Sequence, residues 1–333
     1  MFRTLLVSIG LLAVFGGCSP EPPEPAVDAA DYNGRWNITV PGEERSRAWW
    51  LEVNGADTAS ASGLMVGPPG GGMYAPDEMA VADGELVFRF SQHKYSLPGE
   101  DLPWPERPLR SATYHARLDG GNLAGWMEVD GHPETRVEWT GVRAPVIADK
   151  DDGSWKEGEP VELFNGKDLT GWQALAPEHG MKWSVEDGVL KNDPPTSDIV
   201  TERKFWNFKL HAEYRLYENS NSGIGLRGRY EVQIAESYGK EPHKQGHGAV
   251  YYRITPSSNP SKPVGEWQTM DITLIGRDVT VVLNGETIID KQVVDGLTAM
   301  ATDPNEAEPG PISVQGDHTR IDIRKFTVVP LTQ

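Results

Sequence analysis

Five polar side chains with acid–base or hydrogen-bonding chemistry alternate along two segments in the second half of the chain. His211 and Glu213 share one face of the first segment, and Arg227, Glu231 and Gln233 share one parity of the second. If the two segments pair as strands, one surface holds a carboxylate, a guanidinium, an amide and an imidazole, which together supply proton transfer and oxyanion stabilisation. Exposed sheet faces are also routinely charged, so periodicity alone favours a solvated surface.

Apolar residues between these side chains predict the strands that position them. Successive side chains of a strand point to opposite faces, so residues of one parity form the buried side. In the first segment these residues are Leu210, Ala212, Tyr214 and Leu216, and in the second they are Ile224, Leu226, Tyr230, Val232 and Ile234. Both segments are therefore expected to be half-buried strands.

Residues 223–228 read Gly-Ile-Gly-Leu-Arg-Gly and match the Gly-x-Gly-x-x-Gly dinucleotide pattern by letter. That pattern requires a helix after the glycines, because the helix N-terminus holds the pyrophosphate. Here residues 229–234 alternate like a strand instead. Nucleotide binding at these glycines is therefore not expected.

Turn signals and composition divide the chain into two β-rich blocks. The first block spans residues 31–143, a polar linker spans 144–160, and the second block spans 161–332. Predicted strands of the first block cover residues 35–40, 48–53, 63–66, 85–90, 112–118, 123–129 and 135–140. In the second block Asn284-Gly285 is a strong hairpin signal, and residues 319–329 supply a closing strand. We expect an all-β protein in which a small antiparallel barrel or sandwich precedes a larger two-sheet jelly roll.

The N-terminus has the pattern of an export signal. Arg3 precedes an apolar stretch that is too short to span a bilayer, and small residues then lead to Cys18, the only cysteine in the chain. This arrangement is similar to a bacterial lipobox, which predicts a signal peptide over residues 1–17, lipidation of Cys18 and a Pro-rich tether over 18–30. The expected location is the periplasm or cell surface, with a lipid anchor in the outer membrane; the alternative for Cys18 is an unmodified residue in an uncleaved anchor.

Charge and cysteine content exclude several classes of protein. The chain of 333 residues carries 31 Lys and Arg against 49 Asp and Glu, a formal net charge of -18. A sequence-independent nucleic-acid binder needs a basic surface to neutralise phosphates, so no nucleic-acid partner is expected. A single cysteine also excludes an intrachain disulfide scaffold and a zinc site of two or more cysteines.

Short motifs in a fixed order along the second block resemble those of a known family. They are Leu163-Phe164-Asn165-Gly166-Lys167-Asp168-Leu169-Thr170-Gly171-Trp172, Trp183 to Leu190, Asn221-Ser222-Gly223-Ile224, Tyr230 to Ile234, Gly248-Ala249-Val250-Tyr251 and Gly310 to Gln315. Together they are similar to the 3-keto-disaccharide hydrolase domain, which has a concanavalin A-like fold. The resemblance covers residues 161–332 and does not extend to 31–143.

The resemblance implies cleavage of glycosides that carry a ketone at sugar carbon 3. Such a ketone acidifies the proton at carbon 2, so a single base can start an elimination that expels the substituent at carbon 1. In this family context Glu231 is the expected base, Arg227 the group that holds the ketone or enolate oxygen, and Gln233 a residue that orients the sugar. His247, His211 or Tyr251 is expected to protonate the leaving oxygen.

Other assignments remain open from the sequence. His318 is displaced from the position that a similar histidine takes in the family, and Glu213 is a further candidate for substrate contact. Glu231 has the alternative of a surface ion pair with Arg227 or Arg229. A divalent cation, Ca²⁺ or Mn²⁺, is a possible cofactor whose ligands the sequence does not identify.

Two other functions compete with this one. The first is a carbohydrate-binding lipoprotein without turnover, because jelly rolls serve lectins as well as enzymes. The second is an ordinary glycosidase, which the missing Glu-x-Asp-x-x-Glu motif of laminarinase-type enzymes disfavours.

Overall fold

The computed structural model describes residues 28–41, 48–68, 71–103, 106–316 and 318–333. Its regular structure is almost entirely strand, with short 3₁₀ helices at Ala29–Tyr32 and Pro177–His179. This confirms the predicted all-β class. Within the described ranges, no helix has the length and hydropathy to cross a membrane. The predicted signal peptide and Cys18 lie outside the described residues.

The first block forms a nine-stranded antiparallel sheet with the order β4-β3-β2-β1-β9-β8-β7-β6-β5. Its strands are β1 (Gly34–Thr39), β2 (Ala48–Asn54), β3 (Ser62–Val66), β4 (Met73–Tyr74), β5 (Glu78–Ala82), β6 (Glu85–Gln92), β7 (Arg110–Asp119), β8 (Asn122–Val129) and β9 (His132–Arg143). Gly63 of β3 lies against Met79 of β5, so the sheet curls until its two ends approach each other. Each strand predicted from the sequence is present; β4 and β5, which are short, were not predicted.

The second block contains two further sheets. Its strands in chain order are β10 (Lys156–Glu157), β11 (Val161–Glu162), β12 (Trp172–Ala174), β13 (Trp183–Glu186), β14 (Val189–Asn192), β15 (Ile199–Phe205), β16 (Phe208–Leu216), β17 (Asn221–Leu226), β18 (Tyr230–Ala235), β19 (Trp267–Ile275), β20 (Asp278–Leu283), β21 (Glu286–Val293), β22 (Gly310–Val314) and β23 (Ile321–Thr332). One sheet has the order β12-β15-β22-β17-β18, and the other has the order β13-β14-β23-β16-β19-β20-β21, with β10 and β11 also paired to β23.

The two sheets pack face to face around one hydrophobic core, which makes the second block a jelly-roll sandwich. Leu210 and Tyr214 of β16 enter this core from one sheet, and Ile224 of β17 and Val232 of β18 enter it from the other. The core-facing residues follow the period of two seen in the sequence, because each strand has one face on the core. Burial alternates along β16, as expected for a half-buried strand, whereas β17 and β18 are buried on both faces. The predicted Asn284-Gly285 hairpin is also confirmed, with positive φ at both turn residues and β20 and β21 on either side.

The two blocks are not joined by a free linker alone, because two connecting segments pack against the folded blocks. Part of the 144–160 stretch docks on the second block: β10 pairs with the end of β23, and Asp149 accepts hydrogen bonds from Trp206 and Asn207. Residues 294–309, called the covering segment below, pack on the first block. There Leu297 and Ala301 share a small apolar cluster with Trp50.

Candidate active site

One face of β17, which lies between β22 and β18 in the five-stranded sheet, carries glycines at two alternate positions. In β17, Gly223 pairs with Gln233 and Gly225 pairs with Glu231 of β18. On the other side, Gly225 pairs with Ser313 of β22. We call this depression the glycine trough: its floor is Gly223 and Gly225, and its walls are formed by Glu231, Gln233, Ser313 and Gln315.

The wall side chains lean over the glycines at close range. A Cβ added to Gly223 would lie 2.6 Å from Oε1 of Glu231, and a Cβ added to Gly225 would lie 2.0 Å from Oγ of Ser313. Any side chain at these positions would displace those oxygens. The two glycines therefore serve to bring a carboxylate and a hydroxyl against the sheet, which gives them a role unrelated to nucleotide binding.

Loops cover the trough, so its polar walls are withdrawn from solvent. Glu231 is 3% exposed, Gln233 4% and Ser313 2%. Cε of Met300, in the covering segment, lies 3.3 Å from the position of a Cβ on Gly225. The polar face is therefore not the solvated surface that periodicity alone favoured.

Three buried polar atoms of the trough have no hydrogen-bond partner among the described residues. They are Oε1 of Gln233, Oγ of Ser313 and Oε1 of Gln315. Gln233 uses its Nε2 to donate to Oδ1 of Asn221, at 2.8 Å. Buried polar groups are nearly always paired, so these three atoms are positioned to hydrogen-bond ordered water or a polar ligand in the depression.

Tyr251, one of the three residues expected to protonate the leaving oxygen, lies beside Glu231. The backbone N–H of Tyr251 donates to the carbonyl of Glu231 at 3.0 Å. Burial raises the pKa of the Tyr251 hydroxyl; the negative charge of Glu231 raises it further, whereas a hydrogen bond with Gln245 lowers it. The phenol therefore stays protonated at neutral pH and is available as a proton donor.

Arg227 does not accompany Glu231, and this prediction is wrong. Arg227 occupies the tight turn between β17 and β18 with a φ of 54°, so it no longer follows the strand alternation. Its buried guanidinium donates to the carbonyl of Gly276 and lies 4.4 Å from the centre of the Trp206 ring. Desolvation by burial lowers its pKa to about 10, so it remains charged but lies away from the trough.

His211 and Glu213 are also absent from the trough. Their strand, β16, pairs with β19 and β23 in the opposite sheet and not with β18. Both side chains lie on the outer face of that sheet, where His211 contacts Asp271 and Glu213 contacts Arg324. The hydrophobic core separates them from Glu231, because residues 217–220 carry the chain from one sheet to the other.

His247 is buried in the core and is not a proton donor to the trough. Its Nε2 meets the hydroxyl of Tyr214, and its Nδ1 lies 2.8 Å from Oγ of Ser261. Desolvation by burial lowers its pKa to about 3, so the ring is neutral at physiological pH. Both ring nitrogens are occupied, which makes the role structural.

His318 lies on the surface beyond the end of β22. It is next to Thr319, which hydrogen-bonds the backbone of Asn221 at the start of β17. Among the described residues, no group of three or more His, Cys, Asp or Glu side chains comes together to hold a metal ion. The structure therefore assigns no ligands to the divalent cation considered from the sequence.

Sequence reasoning did not assign site roles to Ser313, Gln315 or Asn221. A signal was present, since Ile312 and Val314 have the parity of core residues and Ser313 and Gln315 have the opposite one. Polar residues alternating with buried aliphatic ones on a central strand predict a second, covered face. Only the strand order shows that this face is shared with Glu231.

Comparison with known proteins identifies the second block. A model of the 3-keto-alpha-glucoside-1,2-lyase-like domain matches residues 159–329, just over half of the chain. The chain belongs to this family. The matched region contains all four walls and both floor residues of the glycine trough.

Relatives of this chain include a 3-keto-disaccharide hydrolase from Bacteroides thetaiotaomicron. It is 24% identical over 181 residues, which span 42% of this chain and 62% of the relative. A solved structure described as a putative glycosyl hydrolase from Parabacteroides distasonis is 27% identical, with a TM-score of 0.46, and the match covers 56% of this chain and 91% of that one. A Bacillus licheniformis β-glucanase is 12% identical, with a TM-score of 0.31, over 52% of this chain and 98% of that one.

Proposed function

We propose that the second block cleaves glycosides whose sugar carries a ketone at carbon 3, by elimination across carbons 1 and 2. Membership of the 3-keto-alpha-glucoside-1,2-lyase-like family supports this substrate class. The observation that carries the proposal is the carboxylate of Glu231, held over Gly223 in a covered trough together with the hydroxyl of Ser313.

Glu231 acts as the base in this scheme. It takes the proton from carbon 2, and the electron pair of that C–H bond forms an enolate with the ketone at carbon 3. The enolate then collapses to a double bond between carbons 1 and 2 while the bond from carbon 1 to the leaving oxygen breaks. Tyr251 gives its proton to that oxygen. Addition of water to the unsaturated ketone at carbon 1, with a proton at carbon 2, gives net hydrolysis.

The neutral groups of the trough stabilise the enolate and orient the sugar. The Ser313 hydroxyl donates to the developing oxyanion, which Arg227 was expected to hold. Oε1 of Gln233 and Oε1 of Gln315, which have no partner among the described residues, accept hydrogen bonds from sugar hydroxyls. Fixed dipoles of this kind act strongly in a site withdrawn from water.

The decisive experiment compares a 3-keto-disaccharide with its parent disaccharide. Released sugar is followed by mass spectrometry for the unmodified protein, Glu231→Gln and Glu213→Gln. Removal of a general base typically costs about 10²–10⁴-fold in rate, so we expect turnover of only the keto substrate and a loss of this size in Glu231→Gln. Glu213→Gln is the matched control, because it alters a carboxylate on the outer face of the other sheet and is expected to leave the rate unchanged.

Other outcomes would replace the proposal. Cleavage of the parent disaccharide at a comparable rate would indicate an ordinary glycosidase. Sugar binding without turnover of either substrate would indicate a carbohydrate-binding protein. Equal losses in Glu231→Gln and Glu213→Gln would remove Glu231 from the role of base.

We also propose that the protein is exported and lipid-anchored through Cys18. The proposal is supported by the pattern of Arg3, the apolar stretch and the small residues before Cys18. Metabolic labelling with a fatty acid, followed by membrane fractionation, tests it. Cys18→Ala should abolish the label and release the protein from the outer-membrane fraction; an unlabelled Cys18 in the unmodified protein would contradict it.

A further inference from the structure

A row of three half-buried tyrosines leads from the glycine trough to the first block. Tyr251 lies beside Glu231, its ring centre is 5.0 Å from that of Tyr252, and Tyr252 is 5.9 Å from Tyr74. Tyr74 belongs to β4 of the N-terminal sheet, and its hydroxyl is 3.5 Å from that of Tyr252. We call these three residues the tyrosine row. It joins the proposed catalytic trough to a part of the chain that lies outside the family match.

The backbone at Tyr252 directs this row away from the sheet. Tyr252 has a φ of 60°, a left-handed backbone conformation that residues other than glycine rarely adopt. Its N–H is held by the carbonyl of Lys244, at 2.8 Å. This turn places the Tyr252 ring against Tyr74 while Tyr251 stays next to Glu231. Unusual backbone conformations of this kind are concentrated at binding and catalytic sites.

Two lysines flank the row and present hydrogen-bond donors beside the rings. Nζ of Lys244 lies 4.2 Å from the centre of the Tyr252 ring, and Nζ of Lys94 lies 3.5 Å from the hydroxyl of Tyr74. Tyr74 and Lys94 also line a surface cleft in the first block, together with Phe90 and His93. Half-buried aromatic rings bordered by polar donors are suited to cyclic, hydroxylated ligands.

We propose that the tyrosine row binds the leaving-group sugar of the substrate, so that the first block forms part of the substrate cleft. The proposal rests on the function proposed above, because Tyr251 is the residue that meets the leaving oxygen there. A sugar attached to that oxygen extends from Tyr251 along the row. Tyr252 and Tyr74 would pack on its apolar face, and Lys94 and Lys244 would donate to its hydroxyls. Tyr74 is thus a specificity-determining residue supplied by the N-terminal sheet.

The test compares substrates with and without the second sugar. Steady-state kinetics are measured with a 3-keto-disaccharide and with methyl 3-keto-glucoside, for the unmodified protein, Tyr74→Ala and Tyr74→Phe. Loss of one aromatic contact is expected to raise KM for the disaccharide about tenfold in Tyr74→Ala and to leave KM for the methyl glycoside unchanged. Tyr74→Phe keeps the ring and should remain within about twofold of the unmodified protein, because the two contacts of the Tyr74 hydroxyl, at 3.5 Å, are long and fall at the weak end for hydrogen bonds.

Trp126→Ala is the matched control. Trp126 lies on β8 of the first block, apart from the tyrosine row, and its ring stacks on His115 and Arg136. Its removal should therefore leave KM unchanged for both substrates. Equal effects of Tyr74→Ala on both substrates, or no effect on either, would overturn the proposal while the function stands. Absence of turnover of both keto substrates by the unmodified protein would overturn the function and this inference together.

Discussion

Nδ2 of Asn37, in the first strand of the N-terminal sheet, donates a 2.7 Å hydrogen bond to the carboxylate of Glu306 in the covering segment. Glu306 is fully buried and also accepts hydrogen bonds from Arg277, at 2.8 Å, and from the hydroxyl of Tyr230, at 2.7 Å. The carboxylate of Glu306 thus links the first block to the larger sheet of the second block, through Arg277, and to β18, the strand that carries Glu231. The covering segment over the trough is therefore held partly by Asn37, which lies outside the family domain.

Asn37→Ala is expected to loosen the covering segment. Removing one partner of a buried charged group costs about 1–3 kcal/mol, so the free energy of unfolding should fall by this amount. Hydrogen–deuterium exchange should accelerate in residues 294–309, whereas urea denaturation reports the overall loss. Asn122→Ala, at an exposed position of the same sheet, should change neither measurement. Unchanged exchange in residues 294–309 of Asn37→Ala would show that this bond does not hold the segment.

Gly223→Ala tests whether the trough needs its empty floor. The added Cβ would lie 2.6 Å from Oε1 of Glu231 and would push the carboxylate away from its position. A displacement of about 1 Å can cost about 10²-fold in rate, so kcat/KM for a 3-keto-glycoside should fall by roughly that factor. Gly158→Ala, where the nearest atom is 3.3 Å from the new Cβ, is the control and should retain activity. A fully active Gly223→Ala would place the base elsewhere.

Tyr251→Phe separates protonation of the leaving oxygen from the rest of the reaction. An alkoxide leaves poorly without a proton, whereas p-nitrophenolate leaves readily. We therefore expect kcat for a 3-keto-disaccharide to fall about 10²-fold, the lower end for a general acid, and kcat for the p-nitrophenyl 3-keto-glucoside to change little. Tyr238→Phe alters a tyrosine that is 57% exposed and serves as the control. Equal losses with the two leaving groups would argue against an acid role for Tyr251.

His247 should make the protein sensitive to acid. In the folded protein burial lowers its pKa from 6.5 to about 3. Between these pH values the unfolded chain binds a proton that the folded chain does not, so stability is lost as pH falls through this window. Each pH unit contributes at most about 1.4 kcal/mol.

Denaturation with urea at pH 7, 6, 5 and 4 measures this dependence. His247→Gln should be less stable at pH 7, because its contacts with Tyr214 and Ser261 are altered, but its stability should fall less steeply toward pH 4. His132→Gln changes a partly exposed histidine and should preserve the slope of the unmodified protein. A slope in His247→Gln equal to that of the unmodified protein would exclude His247 as the source.

Local patterns in the sequence were sufficient for the strands and for one half of the trough. The period of two marked Tyr214, Val232 and their neighbours as core residues, because a strand buried on one face must alternate. Asn284-Gly285 determined its hairpin, since the turn requires two residues that tolerate positive φ. The same alternation placed Glu231 and Gln233 on one face. Their positions opposite Gly225 and Gly223 follow from the pairing of β17 with the next strand in the chain, β18.

Only the tertiary structure decided which distant residues share that face. Glu213 and Glu231 look equivalent in the sequence, yet β16 and β18 belong to opposite sheets, and strand order depends on packing of the whole core. Arg227 left the expected face because a tight turn interrupts the alternation, which a period of two does not reveal. Ser313 reached Glu231 across Gly225 because β22 and β17 are neighbours in the sheet, although Ser313 follows Gly225 by 88 positions in the chain. Tyr74 and Asn37 joined the site region through packing of the first block on the second, a long-range contact without any local signature.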